Sequence, residues 1–246
     1  FIGVAQILKV ELMHRVSDMY GPIIYTKFGD KTGSDPDTQQ EAYQAFFKDL
    51  DGGIEKIEKH LSENDGLNNF SKFDILMPVG KRTYEQWIKF ANSLRLRLAI
   101  RISMADPTLA SAEVRKALSH SAGLLEANDD IVAVATASGY INPLGEIANS
   151  WKQTSMNANM ESIMGGYEDA RLGKYFLPAT AIAEGEDVPG VIPYKGTLKG
   201  IRQGTGFNHK KYYGCSLSSV VQTTDAVLMT AAEVWFLSAE AALRRW

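Results

Sequence analysis

The stretch from Ala127 to about Gln222 is punctuated by Gly, Asn, Pro and Ser set among aromatics, and Gly185, Gly190, Gly196, Gly200, Gly204, Gly206 and Gly214 crowd its later part. It has neither a helical nor an alternating period with which to bury one face. It therefore predicts loops, with short strands only at Ile131 to Ala135 and Val191 to Tyr194. Ordering that much backbone without regular structure has a large entropic cost, and such excursions inside compact proteins are usually functional. The remainder of the chain must supply the core that holds it.

That remainder reads as helix. Val4, Ile7, Leu8, Leu12, Val16 and Met19 recur at helical spacing and predict one apolar face, ended by Gly21-Pro22. After Asp35-Pro36-Asp37, a second helix carries Tyr43, Phe46, Phe47, Leu50, Ile54, Ile57 and Leu61 on one side, with Glu55, Lys56 and Lys59 off it. Thr83 to Ser103 is ambiguous, because Leu94-Arg95-Leu96-Arg97-Leu98 alternates like a strand while Trp87, Ala91, Leu94, Leu98 and Ile102 fit a helix. Its length and its Leu, Arg and Ala content favour helix. Asp106-Pro107-Thr108 opens a fourth helix, with Val114 and Leu118, that stops near Gly123. Helix returns at Thr230, where Thr230 and Glu233 have the spacing of a capping box and Leu237 and Ala241 continue a face. The expected organisation is a helical scaffold over 1–125, a loop-rich region over 126–222 and a returning scaffold helix over 223–246, all in one structural domain.

Composition narrows the function. A formal net charge of -3 argues against a nucleic-acid partner, since phosphate binding draws on clustered Lys and Arg. The one dense basic run, Arg95, Arg97 and Arg101, lies among leucines, and helical geometry scatters it over different faces, where buried ion pairs account for it. The single Cys215 makes no internal disulfide. No apolar run reaches the ~18 residues needed to cross a bilayer, and the N-terminus has no signal-peptide layout. The first and last residues both lie inside helical patterns without caps, which predicts a fragment of a longer protein. His14, His60, His120 and His209 are not spaced as metal ligands. Asp129-Asp130 and Glu184, Glu186 and Asp187 lack the alternation of a calcium loop and read as solvated acidic loops.

Several strings resemble one family. Tyr20-Gly21-Pro22 after an amphipathic helix, the run from Trp87 to Ala99 (WIKFANSLRLRLA) and the run from Ala231 to Leu243 (AAEVWFLSAEAAL) resemble SusD/RagB-type outer-membrane nutrient-binding lipoproteins. Gly200-Ile201-Arg202-Gln203-Gly204, Met160-Glu161-Ser162 and Asp169-Ala170-Arg171-Leu172 add to the match, in the family's order. Ala170 departs from the Asp-Pro-Arg expected there, and Gln203 stands where Asn is usual. The resemblance implies a mostly α fold of tetratricopeptide-like helix pairs with a long loop-rich insert. It also implies no catalysis and no cofactor, a SusC-like TonB-dependent porin as partner, and an oligosaccharide or peptide ligand held by the loops on the extracellular face of the outer membrane. The family's lipid anchor would lie outside this fragment, because Cys215 is internal and follows no apolar run. Tetratricopeptide-like helices would also suit an intracellular scaffold that binds peptide in its groove without any transport role. The long aromatic-rich insert disfavours that alternative.

Sugar binding of the kind the resemblance implies stacks aromatic faces on pyranose rings and bonds hydroxyls with amide and charged groups. The loop-rich region offers Tyr140, Asn142, Trp151, Tyr167, Arg202, Asn208 and Tyr212 as ligand-binding candidates, with Asn157, Asn159 and Tyr213 beside them. Any of these aromatics could instead cap a core beneath long loops. Trp151, among Asn149, Ser150, Lys152 and Gln153, is expected to be exposed, and Arg202 lies between glycines that allow close backbone approach. No nucleophile elbow, phosphate loop or zinc-protease helix is present. Glu146 with Glu161 or Glu168 could be imagined as a glycosidase dyad, but two carboxylates in such a region are expected by chance.

Overall fold

A computed structural model of the chain describes residues 1–29, 35–136, 139–179, 196–204 and 215–246. The predicted strand at Val191 to Tyr194, and the candidates Asn208, Tyr212 and Tyr213, lie outside them. The chain divides into two compact units, one of Phe1–Ala133 with Val227–Trp246 and one of Val134–Ala226.

The first unit is a helical array: α1 (Ile2–Tyr20), α2 (Gln39–Glu63), α3 (Tyr84–Arg101), α4 (Pro107–Ser119) and, near the chain's end, α8 (Ala231–Leu243). All but α1 begin at a side-chain cap that the sequence carries. At α2, Thr38 and Glu41 form a reciprocal capping box, at α3 Thr83 accepts from the Gln86 N–H, and at α4 Asp106 accepts from Leu109 with Pro107 in the first turn. At α8 only half of the expected box forms. Thr230 accepts from the Glu233 N–H, whereas the Glu233 carboxylate turns to Arg97. The chain leaves the first unit through strand β1 (Ile131–Val134) and re-enters it through β2 (Ala226–Thr230), and the two strands pair.

The α3 segment is helix throughout and is buried on every side, which is why its sequence alternates like a strand without being one. Trp87 lies in its first turn, fully enclosed, with Phe70 and Phe90 edge-on to its ring and its Nε1–H donated to Asp74 at 2.8 Å. The α2 face is buried as its period predicts from Tyr43 to Ile57. The α1 face is not. Val4 and Ile7 point inward, but Leu12, Val16 and Met19 are exposed, and Glu11 and His14 are buried in their place. The cause is charge pairing. The Glu11 carboxylate meets Arg97 at 3.2 Å and Arg15 at 2.7 Å, and Arg97 also forks onto Glu233 at 2.6 and 2.8 Å. The other two arginines of α3 are also paired, although the Nε of Arg95 is buried without a hydrogen-bond partner among the described residues. Arg95 pairs with Glu113 and with Asp51, and Arg101 pairs with Asp18. In α4, Val114 is buried while Leu118 is exposed.

The described residues of the second unit form little regular structure: α5 (Pro143–Gly145) running into a π-helical turn (Glu146–Ser150), α6 (Ala158–Gly166) and α7 (Leu172–Tyr175). Backbone bridges hold it. Met156 donates to the Ser216 carbonyl at 2.7 Å, Ile201 to Met156 at 2.7 Å, Ser218 to Thr154 at 2.9 Å and Leu177 to Leu217 at 2.8 Å. The contiguous hydrophobic core belongs wholly to the first unit.

Candidate functional site

The insert places its exposed aromatics on stretches that hydrogen bonds immobilise. Asn142 precedes Pro143 and caps α5, accepting from the Leu144 N–H at 3.0 Å, and its amide donates to the Thr224 carbonyl at 3.1 Å. With 7% of its surface exposed, Asn142 holds the loop together rather than facing a ligand. The Asn-Pro pair at a helix start was the signal for this role.

The π-helical turn follows. Wide turns of this kind cost helical stability and are found most often at functional sites. Here the turn is braced across the unit: Asn149 donates to the Gly145 and Val220 carbonyls at 3.2 and 2.5 Å, Ser150 donates to Glu146 at 2.9 Å, and Gln222 donates to the same carboxylate. Gly145 is required for this packing, because a Cβ there would overlap the Val221–Gln222 peptide. Trp151 leaves the end of the turn with 59% of its surface exposed. Its predecessors Asn149 and Ser150, with Val221, Gln222 and Thr223, line a depression of about 370 Å³. An indole face beside amide and hydroxyl groups can stack on the C–H face of a sugar ring while bonding its hydroxyls.

Arg202 lies on a loop clamped to α6. Glu161 accepts from Lys199 Nζ and from the Gly200 N–H, both at 2.9 Å, and Gly200 approaches so closely that a Cβ would lie 2.7 Å from the Asn157 carbonyl. Asn157 caps α6 and donates to Gln203 at 3.3 Å. Burial pushes the Glu161 carboxyl up, yet the Lys199 and Gly200 bonds outweigh it and hold the group below its ordinary range. Glu146 and Glu161 are thus both taken up in bracing loops. Asp169 and Arg171 form a fork at 2.6–3.2 Å, so a charged pair stiffens the turn in which Ala170 stands. Tyr140 is 38% and Tyr167 84% exposed, and Asn159 is exposed on α6. The turn at 146–150 and the partners Asn149 and Gln222 were missed in the sequence, since nothing in the local pattern distinguishes a π turn from an α one. Among the described residues no cluster of His, Cys, Asp and Glu could hold a metal ion, and no helix is long and apolar enough to cross a membrane.

Known proteins resemble the chain along its whole length. A SusD homologue from Bacteroides vulgatus is 42% identical, with a TM-score of 0.85, over 98% of this chain and 47% of its own. A chitin-binding SusD homologue from Flavobacterium johnsoniae is 38% identical, with a TM-score of 0.86, over 99% and 48%. One from Bacteroides uniformis is 34% identical, with a TM-score of 0.78, over 97% and 47%. The chain therefore spans about half the length of these relatives. No curated protein matches it. The mostly helical fold is that of the tetratricopeptide-like SusD homologues. The family model for SusD and RagB outer-membrane lipoproteins matches residues 1–246, and the chain belongs to that family.

Proposed function

We propose that this chain is the binding portion of a cell-surface nutrient receptor. In this reading its loop-rich unit captures an oligosaccharide on the extracellular face of the outer membrane, and the captured glycan passes to a SusC-like TonB-dependent porin. It acts by affinity and without turnover. The observation that carries the reading is Trp151, an exposed indole at the end of a braced π-helical turn and next in sequence to a depression with amide and hydroxyl walls. Rigid support matters, because a stacking platform that is already ordered adds little entropic cost to binding. Tyr140, Tyr167 and Arg202 are the further candidate contacts, and Asn142 supports them indirectly. The chitin-binding relative makes chito-oligosaccharides the first ligands to try.

Calorimetric titration of the chain with a panel of glycans and peptides, beside Trp151→Ala and Arg202→Ala, tests the reading. Binding to one glycan class, weakened at least about tenfold in Trp151→Ala, or roughly 1.4 kcal/mol, is the expected result. Binding to peptides alone, or release of cleaved product, would overturn the oligosaccharide assignment.

A further inference from the structure

The first unit contains a recess that the loop-based reading leaves unused. It encloses about 340 Å³ where the end of α1, the start of α2, the end of α3 and the start of α4 converge. Its lining is mixed. Asp18, Tyr43 and Arg101 form a closed triad: Tyr43 donates to one Asp18 oxygen at 2.6 Å, and Arg101 approaches the other at 2.8 Å and the Tyr43 hydroxyl at 3.4 Å. The charges of Asp18 and Arg101 therefore cancel within the wall. Gln39 is tied to the Ser17 carbonyl at 3.1 Å, whereas the exposed Gln40 side chain makes no hydrogen bond among the described residues and offers both a donor and an acceptor. Asp106 uses one oxygen to cap α4, and its other oxygen accepts no hydrogen bond among the described residues. Aliphatic Ile102, Ala105 and Leu109 complete the recess.

These walls fit a particular chemistry. An anion gains nothing from an arginine already neutralised by Asp18 and is repelled by Asp106. A purely apolar ligand would strand the amide and the carboxylates. Adjacent hydroxyl groups, each donor and acceptor at once, match planar carboxylate, guanidinium and amide edges in pairs, while the C–H face of a ring covers the aliphatic side. The volume lies at the lower end of the ~300–1,000 Å³ typical of small-molecule sites, room for one or two sugar rings rather than a polymer. We infer that the recess between α1, α2 and the α3–α4 turn is a second, independent saccharide site on the scaffold, for a neutral mono- or disaccharide. It rests on the reading of the chain as a glycan receptor but uses none of the loop residues assigned to that role.

Side-chain NMR of the whole chain tests it, with N-acetylglucosamine, glucose and galactose as probes and chitotetraose as the loop-site ligand. At least one monosaccharide is expected to shift the Gln39 and Gln40 amide signals and the Arg101 Nε–H signal saturably, with Kd in the millimolar range, near -4 kcal/mol at 1 mM. Gln40→Ala should weaken this binding several-fold. Ala105→Trp, which fills the recess from an exposed position, should abolish it while leaving the melting temperature unchanged. Trp151→Ala should leave it intact. Absence of saturable shifts at all three residues with all three sugars would overturn the second site. Chitotetraose binding that is lost in Trp151→Ala would in that case leave the loop reading standing. Monosaccharide shifts that survive Ala105→Trp would also overturn the assignment to this recess.

Discussion

The two units solve the same problem, immobilising polar groups, by opposite means. In the helical unit the charges of α3 are drawn inward and paired. Arg97 is held by Glu11 and Glu233, and Arg95 by Glu113 and Asp51, in the unit whose core encloses Trp87. In the loop-rich unit, side-chain amides and carboxylates bind backbone instead, Asn142 to Thr224, Asn149 to Val220 and Glu161 to Gly200. The first arrangement stabilises by burial and is vulnerable wherever a single partner is removed. The second fixes shape with little apolar area, so its failures should stay local and its exposed side chains are free to be changed.

The largest effect should come from Arg97→Met, which takes from Glu233 its arginine and leaves the buried Glu11 with Arg15 alone. Chemical denaturation should show a loss of about 3–5 kcal/mol, and a loss below about 1 kcal/mol would mean that the ion network contributes little. A smaller effect depends on pH. Burial depresses His14 from the ordinary 6.5 to about 4, so the folded chain holds a neutral imidazole where the unfolded chain would be protonated. Stability from this group is present above the ordinary value and is lost as pH falls from about 6.5 toward 4, by at most about 3 kcal/mol. The stability gap between the parent and His14→Gln should therefore narrow over that range, and a gap independent of pH would contradict the buried neutral state. Glu11, 3.8 Å away and raised by burial, works in the opposite sense, which is why the difference between the two proteins is the quantity to follow.

In the other unit, Gly145→Ala forces apart the π-helical turn and the Val221–Gln222 peptide. Overpacking of this kind costs about 1–3 kcal/mol. Hydrogen exchange should speed up at 142–151 and 220–224 but not in α2 or α3. Exchange that rises in α3 as well would break the contrast between the units. Trp151→Ala should change stability least, within about 0.5 kcal/mol, because an exposed ring contributes little to packing. A larger loss would make Trp151 a structural residue.

Legibility in the sequence follows the same division. The α2 helix and the burial of its Phe46–Phe47 side were readable because apolar period and caps agree. The helix at α3 was readable from propensity, although its alternating pattern pointed elsewhere. The inward face of α1 was misread from Leu12 onward. Glu11, which is buried there beside His14, pairs with Arg97 on another helix, and pairing at such separation leaves no local trace. In the loop-rich unit the family strings mark the stretch around Arg202, and polar neighbours mark Trp151 as exposed. The bracing that makes a platform of it depends on Gly145, Asn149 and Gln222, whose roles arise only when distant loops meet.

The position of Arg97 also bears on how the chain is made. One of its carboxylate partners, Glu11, is 86 residues behind it and the other, Glu233, is 136 residues ahead. At synthesis rates of about 5–20 residues per second, Arg97 would emerge roughly 7–27 s before Glu233 does. During that interval a guanidinium destined for the interior has half its counter-charge, and the apolar site of α8 stands open. The nascent scaffold is thus a template that α8 must find, and the whole loop-rich unit is threaded between the two events.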